Sequence, residues 1–558
     1  MISKRYIRGL FAAIWMLAML CTHESFAQDE QWERDGEIGD VEIEIIRERQ
    51  IVLPRANRNF EKVPPRPSEP IQPEITYEFR NLSFNAPDYQ SNPRPLRLKQ
   101  EEISKIYGNY VSAGFGNYSS PYLNAWLNTK RDKNRFLGAR LYHRSFGKGP
   151  VDDKNSASKA TNIKVFGQTF NKTVTTDVFI DYENLGGYFY GYTPGVEVAR
   201  DTIRQDYNIV SLGGSISNTK PSDFNFNLGG SFSYLKDKYE ASESDVALTL
   251  NSYYTISEKS KMTLTSDYDL IARKDSLVDA KPRHLFRVSP AFAFSPMDNL
   301  SISLGATAVL ENDSIRSKSL HFYPNIKANY LLSQNVNAYA SLSGDIEKVT
   351  LHTLSRENLW LNSNIGIFHT NKTIELTTGI KGKLGRLVAF NAGVAAANLK
   401  DLYLFQNSAT DRAKFDVLYD EGNTQRINLF AELGYNKNEV IRFNLRGDYY
   451  SYSTDKQPEA WHRPTYRLST NAAFNVYQKL LLNVGLVAQG GMKAFNNETT
   501  QVVDLDPGID LNVKADYFLS KQVSVFLKFE NILSNDYPVY LNYPVRGFQA
   551  MGGVSWTF

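Results

Sequence analysis

Apolar and polar side chains alternate with a period of two along most of the chain, from about Tyr107 to the last residue. The alternating segments are separated in turn by short and by longer polar stretches, which predicts strand, short turn, strand and long loop as a repeated unit. The ten short stretches are residues 131–134, 171–173, 220–223, 258–261, 296–299, 333–335, 385–386, 436–439, 477–479 and 520–522. The longer ones include residues 147–160, 192–204, 350–372, 408–422, 455–463 and 494–506.

Ten short turns alternating with eleven longer connections predict about 22 antiparallel strands. An even strand number is typical of single-chain outer-membrane barrels, in which the short turns face the periplasm and the long loops face outwards. The sequence therefore predicts an all-β fold, a transmembrane antiparallel β-barrel over residues 106–558. A soluble β-sandwich with this many long hairpins would be implausibly large.

The two faces of the strands can be assigned from charge. Leu300, Ile302 and Leu304 oppose Ser301 and Ser303 in one strand. An arginine or lysine at the lipid midplane costs about 2–4 kcal/mol, so charged rows must face the lumen. The predicted lumen-facing residues are Arg442, Asn444, Arg446 and Asp448 in one strand and Asp510, Asn512, Lys514 and Asp516 in another.

Composition alone suggests a soluble protein, because mean hydropathy is −0.40 and 22% of the residues are charged. Aromatic residues make up 13% of the chain, however, and no segment beyond the amino terminus approaches the roughly 20 apolar residues of a membrane helix. A barrel reconciles these observations, because its lipid-facing and lumen-facing residues average out in a hydropathy window. The 63 basic and 60 acidic residues are nearly balanced and do not indicate a nucleic-acid partner.

Residues 1–27 are expected to be a signal peptide, with a basic start, an apolar core and the cleavage signal Ser25-Phe26-Ala27. The only cysteine, Cys21, would leave with it. Residues 28–105 are expected to form an extended segment that is first acidic and then proline-rich, because proline removes hydrogen-bond donors. Val41, Ile43 and Ile45 alternate with acidic residues, so this stretch could add a strand to a periplasmic partner or remain a solvated linker.

The last residues, 546–558, form an amphipathic strand that must pair with the first strand to satisfy its backbone. The motif FENILSNDY at 529–537, with Tyr543-Pro544 and Arg546-Gly547-Phe548, resembles the last hairpin of TonB-dependent outer-membrane receptors, and AGFGNY at 113–118 resembles their Bacteroidota type. Gly553, Val554, Trp556 and Phe558 are similar to the terminal signal read by the barrel-assembly machinery. The resemblance implies a receptor or transport barrel in the bacterial outer membrane.

One feature departs from that family. Residues 28–105 are too few and too rich in proline to form the folded plug domain that its members carry. We therefore expect a transport or receptor component that needs a partner for closure, with the lumen closed by the proline-rich segment, by a partner protein, or by both. The alternatives are a structural or assembly scaffold of an outer-membrane complex and, last, a passive porin.

The sequence does not predict an enzyme, a cofactor or a metal site. The seven histidines lack a second histidine or a glutamate at metal-ligand spacing. Ser145 lies near His143 only as a strand neighbour. Asp504, Asp506 and Asp510 offer oxygen ligands that Ca²⁺ could use, but the pattern favours a solvated acidic loop over a calcium site.

Deletion of Phe558 should sharply lower the amount of protein inserted into the outer membrane, because the assembly signal is read at this end of the chain. The inserted fraction can be measured by membrane fractionation and immunoblotting. Deletion of Thr499, which lies in a predicted long loop far from the terminal signal, is the control. Normal insertion of the Phe558 deletion variant would contradict the assignment.

Overall fold

The computed structural model describes residues 107–129, 132–313, 319–438 and 440–558. The predicted signal peptide, the segment 28–105 and the predicted docking strand with Val41, Ile43 and Ile45 lie outside these residues, so those three expectations stay predictions. The first half of the strands is β1 Tyr110–Gly116, β2 Ser120–Asn128, β3 Arg135–Phe146, β4 Ser158–Phe170, β5 Val174–Tyr188, β6 Arg204–Asn218, β7 Phe224–Lys236, β8 Ser242–Ser257, β9 Ser260–Lys274, β10 Arg283–Met297, β11 Leu300–Glu311, β12 Leu320–Ser333 and β13 Val336–Glu347.

The second half is β14 Thr370–Leu384, β15 Val388–Asn407, β16 Phe415–Lys437, β17 Ile441–Ser453, β18 Tyr466–Val476, β19 Leu480–Gly490, β20 Lys493–Asn496, β21 Gln501–Asp504, β22 Gly508–Phe518, β23 Val523–Glu530, β24 Pro538–Tyr540, β25 Tyr543–Pro544 and β26 Gln549–Thr557. β20–β21 and β24–β25 are small hairpins within loops. The remaining strands form one 22-stranded sheet.

The sheet closes on itself through its two terminal strands. β26 pairs antiparallel with β23 on one side and with β1 on the other, with Tyr110 opposite Thr557 and Gly114 opposite Gly553. The Asn109 and Phe558 backbones exchange two further hydrogen bonds of 3.2 and 3.0 Å. The predicted closed antiparallel barrel of 22 strands is therefore confirmed.

All ten predicted short turns fall at junctions between consecutive strands, and those at 258–261, 296–299, 333–335 and 436–439 overlap the strand ends by one or two residues. The prediction for the loop at 408–422 was wrong at its far end. β15 and β16 continue to pair beyond a bulge near Lys400, from Leu402 opposite Asp420 to Asn407 opposite Phe415, which leaves only residues 408–414 between them. The aromatic and branched residues that follow the bulge favour this pairing. As a result, these two strands form the longest hairpin, with 20 and 23 residues.

An apolar band covers the outside of the barrel. Ile180 and Leu527 expose 63% and 55% of their surface, whereas Val309, on the inner face of β11, exposes none. Leu304 and Leu310 lie on the outside of the same strand and Thr307 on the inside, which follows the period-two pattern. Such a band is stable only against lipid, because water would have to solvate it on every strand.

Within the ranges described above, helical structure is confined to loops. One 3₁₀ turn covers Asp153–Ser156, and one α-helix, α1, covers Leu351–Glu357. No helix within the described part of the chain is long and apolar enough to cross a membrane.

We predict that Gly553→Ala destabilises the barrel seam by about 1–3 kcal/mol, the range for overpacking, whereas Gly552→Ala does not. A Cβ atom on Gly553 would lie 2.2 Å from the Ala113 carbonyl oxygen and 2.4 Å from the Phe526 ring. On Gly552, its neighbour on the lipid face, the nearest atom would be 3.5 Å away, which is an ordinary contact. The difference in stability between the two variants can be measured as the temperature at which the folded gel band converts to the unfolded one. Equal conversion temperatures for the two variants would refute the prediction.

Candidate functional site

The loop between β13 and β14, residues 348–369, folds across the outer end of the barrel, and we call it the cap loop. It contains α1 and contacts strands on several sides. Arg273 of β9 donates a 2.5 Å hydrogen bond to the Ile365 carbonyl oxygen, and the Trp360 indole donates a 2.9 Å bond to the Tyr188 carbonyl oxygen at the end of β5. Leu361 forms a bridge with Phe415 at the start of β16. The cap loop is therefore held at both sides of the mouth.

A hydrophobic cluster fills the space beneath the cap loop. It joins side chains of β6 and β7 to side chains of β15 and β16, and β6 and β16 are ten strands apart in the ring of 22, nearly opposite each other. Its buried members are Tyr207, Ile209, Leu235, Ala241, Val349, Leu351, Leu354, Leu361, Ile365, Ile367, Phe405, Phe415, Val417, Tyr540 and Tyr543. A packed apolar core that spans the mouth obstructs it.

Aromatic rings form the centre of this cluster. The Tyr543 ring, from the loop before β26, lies 4.0 Å from Trp360 and 4.6 Å from Tyr190, measured between centroids. The Phe415 ring lies 5.2 Å from Tyr540 and 5.5 Å from Tyr543. These separations are typical of favourable aromatic pairs, which add about 0.5–1.5 kcal/mol each beyond their burial. The cap loop and the last loop thus share one core.

Polar contacts fix the start of the cap helix. The Thr350 hydroxyl accepts a 3.1 Å hydrogen bond from the Thr353 amide, and the Thr353 hydroxyl accepts a 2.9 Å bond from the Thr350 amide. The carboxylate of Glu243, which is buried on β8, accepts bonds of 2.8 and 3.1 Å from the amides of Leu351 and His352. A carboxylate is favoured at this end of a helix because the free amides and the helix dipole are both positive there.

Ion pairs hold the first residue of the cap loop, and the end of β13 that leads into it, on the wall formed by β8, β9 and β10. The Lys348 ammonium lies 2.7 Å from Asp245 and 2.8 Å from Asp269. The Arg287 guanidinium lies 2.5 Å from Asp267 and 2.7 Å from Asp345. If this partly buried network were broken, it would leave uncompensated charges, which is costly. The network therefore favours a single position of the loop.

Two buried histidines accept hydrogen bonds at the edges of the cluster. His369 Nδ1 accepts a 3.1 Å bond from the Val349 amide, and His462 Nε2 accepts a 3.3 Å bond from the Leu541 amide while its Nδ1 bonds the Phe405 carbonyl oxygen at 2.9 Å. Burial lowers the pKa of His369 to about 3 and the pKa of His462 to about 4. Both imidazoles are therefore neutral at pH 7.

The residues predicted to face the lumen occupy two places in the structure. Arg442, Asn444, Asn512 and Lys514 line one hollow of about 310 Å³ on the inner wall of β17 to β23. Two ion pairs continue these rows, from Arg446 to Asp448 at 2.9 Å and from Lys514 to Asp516 at 2.7 Å. Asp510 lies apart from them, in a recess near the outer rim.

The predicted assembly-signal residues lie on the seam strand β26. Val554, Trp556 and Phe558 are exposed on the lipid side, and the rings of Trp556 and Phe558 stack 4.1 Å apart. Gly553 lies on the inner side, under the Phe526 ring. The structure shows their positions and does not test their recognition during assembly, which stays a prediction.

No group of three or more potential metal ligands occurs among the described residues, Asp504, Asp506 and Asp510 included. His143 Nδ1 lies 2.8 Å from the Thr161 hydroxyl, so its nearest partner is a neutral side chain.

The cap cluster was not predicted from the sequence. A signal for it exists in two connecting segments that are unusually apolar, namely LWL at 359–361 with IGIF at 365–368, and YPVYLNYP at 537–544. Solvated loops are usually polar, so apolar runs in two of them indicate that the loops pack on each other.

We predict that the cap loop loosens as the pH falls from 6.5 towards 4. A histidine whose pKa is lowered by folding stabilises the folded state above its unfolded pKa of about 6.5, and this contribution is lost as the pH falls towards the folded pKa. For His462 the loss at pH 5 is about 2 kcal/mol. Hydrogen exchange of the amides of residues 350–367 should rise between pH 7.5 and 5, after correction for intrinsic rates. His462→Asn should remove about half of this pH dependence, because His369 supplies a contribution of similar size. His284→Asn, on the outer surface, should leave the profile unchanged. An unchanged profile in His462→Asn would contradict the prediction.

Comparison with known proteins shows the fold alone. No protein-family model matches the sequence. No curated protein matches it either. Among solved structures, the siderophore receptor PirA from Acinetobacter baumannii is similar over 82% of this chain and 81% of its own, with 10% identity and a TM-score of 0.64.

The FrpB iron transporter from Neisseria meningitidis is similar over 82% of each chain, with 10% identity and a TM-score of 0.62. The ferripyoverdine receptor of the outer membrane of Pseudomonas aeruginosa is similar over 82% of this chain and 73% of its own, with 11% identity and a TM-score of 0.60. The chain thus has the barrel fold of outer-membrane receptors and transporters, and this fold, with its apolar outer band, places it in the bacterial outer membrane.

Proposed function

We propose that this protein is a receptor or transport component of the TonB-dependent type, and that its outer mouth is closed at rest by its own cap loop. The observation that carries the proposal is the hydrophobic cluster that joins the cap loop to β6–β7 and to β15–β16 on the other side of the ring. A barrel of 22 strands is too wide to seal with its wall residues alone. A self-closed outer end is what a selective receptor requires and a passive porin lacks.

The resemblance of the last hairpin to TonB-dependent receptors supports this class, and so does the likeness to barrels described as a siderophore receptor and an iron transporter. At 10% identity, what those proteins bind does not identify the ligand of this chain. The Bacteroidota type and the lack of an ordinary plug stay proposals from the sequence.

A partner protein remains part of the proposal, at the periplasmic end. The cap loop accounts for closure at the outer end only. The alternating acidic stretch with Val41, Ile43 and Ile45 offers an edge strand for such a partner. Proline substitutions at Val41 and Ile43 should reduce co-purification of that partner, because proline removes the donors that strand addition needs.

A structural scaffold is the second candidate, favoured by the extent of the polar anchoring. Glu243 holds the cap helix, and the network around Lys348 and Arg287 holds the base of the loop. A loop fixed this firmly suits a barrel that never opens. Gentle purification from membranes, followed by identification of the co-purifying chains, separates the two candidates. It is done with the intact protein and with a variant that lacks the cap loop. A scaffold requires a stable envelope complex that persists in that variant.

Replacement of residues 351–366 by a short glycine–serine linker should convert the protein from a low to a large, steady conductance in planar bilayers. The reason is that this change removes α1 and the core residues Leu361 and Ile365, which obstruct the mouth. The control carries a linker of equal length in place of residues 194–197, which are exposed and outside the cluster. Equal conductance of the cap variant and the intact protein would refute closure by the cap loop.

A further inference from the structure

A recess of about 340 Å³ remains between the cap loop, the last loop and the inner wall at the rim. We call it the rim recess. It lies where the outer ends of β4 and β5 approach the outer ends of β22 and β26. The residues that matter for its chemistry are Arg546, Asp510, Asn531, Gln549, Trp360 and Tyr190.

Arg546 presents to this recess a guanidinium that pairs with no carboxylate among the described residues. One of its terminal nitrogens donates a 2.6 Å hydrogen bond to the Ser158 hydroxyl and a 3.4 Å bond to the Ser156 carbonyl oxygen. The guanidinium carbon lies 4.0 Å from the centre of the Phe146 ring, and Nε is buried without a partner. Arginine remains protonated in proteins, so this is a largely buried cation whose partners in the described part of the chain are all neutral.

The carboxylate of Glu530, on β23, is already engaged. It forms ion pairs with Arg144 and, at 2.7 Å, with Lys528. Two cations thus share this one carboxylate, which leaves it no charge to compensate Arg546. A buried cation without a counter-charge is costly, so an anionic group entering the recess would be bound favourably beside Arg546.

Asp510 is the second charge that lines the rim recess. Its carboxylate accepts a 3.2 Å bond from the Asn531 amide and forms no ion pair, with Arg546 or with any other cation among the described residues. Two opposite charges that face one cavity without pairing can each bind a group of the opposite sign. The free carboxylate of Asp510 would repel a simple anion. The rim recess is therefore better suited to a ligand that carries both charges than to an anion alone.

The rest of the lining is apolar and aromatic. Trp360, Tyr190, Leu359 and Val539 form this side. Gly187 leaves room for the cap loop here, because a Cβ atom there would lie 2.4 Å from the end of the Leu359 side chain, which would then have to move. An apolar wall beside two fixed charges is typical of small-molecule sites, in which a few polar groups orient an apolar ligand.

We propose that the rim recess binds a zwitterionic amino acid or short peptide, with its carboxylate on Arg546, its ammonium on Asp510 and its side chains against Trp360 and Tyr190. This inference deepens the proposed receptor role and rests on it for its biological meaning. The test below measures ligand binding to the closed protein. The inference can therefore fail while closure of the mouth by the cap loop is upheld, and closure can fail while ligand binding is upheld.

The experiment uses the full-length protein in detergent and titration calorimetry with three probes, leucyl-leucine, its N-acetyl derivative and its C-terminal amide. Hydrogen bonds to charged groups contribute about 1.5–3 kcal/mol, so loss of either charged end should weaken binding at least about ten-fold. Arg546→Gln should weaken binding of the free dipeptide by the same factor and abolish the further effect of amidation. Asp510→Asn should likewise weaken binding of the free dipeptide at least about ten-fold and abolish the further effect of N-acetylation.

Two variants complete the design. Arg546→Lys keeps the charge and should retain most of the affinity, which separates loss of charge from loss of folding. Arg386→Gln removes one arginine from an exposed turn at the other end of the barrel and should leave binding unchanged. The heat-dependent gel shift checks that each variant is folded.

The outcomes are decisive in either direction. Sensitivity of the intact protein to both modifications of the probe, each lost in its matched variant, supports the proposal. Absence of dipeptide binding at millimolar concentration would overturn it. So would binding that depends on the carboxylate but not on the ammonium group, because that result describes an anion site.

Discussion

A backbone amide or carbonyl group inside lipid has no water to bond, and this constraint determines the rest of the structure. Every strand of the sheet must have two neighbours, so the first and last strands must pair. Here β26 meets β1 with glycine opposite glycine, Gly114 and Gly553, and the Phe526 ring occupies the space that their side chains would take. The seam is therefore close-packed at its middle without a bulky residue on either of its two strands at that level.

Closing a ring of 22 strands creates a second requirement, because the interior is wide and lined with charge. The chain meets it at the outer end with loops that carry a core of their own. The cap loop supplies leucines and isoleucines, the last loop supplies Tyr540 and Tyr543, and the extended β15–β16 hairpin supplies Phe405 and Phe415. The barrel thus has two apolar surfaces of different purpose, one turned to lipid and one enclosed within the mouth.

Much of this architecture could be predicted from the sequence, because period-two alternation and turn residues are local signals. They located all ten short turns approximately and predicted that Leu304 and Thr307 lie on opposite faces of their strand. The cap could not be derived in the same way, since contacts such as Trp360 with Tyr543 join residues far apart in the chain. The same holds for the rim recess. Arg546 is an ordinary loop arginine in the sequence. Only the fold shows that it lines a recess together with Asp510 and pairs with no carboxylate of the described residues.

The origin of the cap core along the chain has a consequence for biogenesis. Its side chains range from Leu185 and Tyr207, near the start of the barrel, to Tyr543, in the loop that leads to the last strand. The core therefore cannot be complete until the final hairpin has reached its place beside the first strand. Closure of the sheet and completion of the core under the cap loop thus depend on the same late step, the arrival of the last segment of the chain. The wall of the barrel and the obstruction of its mouth are in this way coupled during folding.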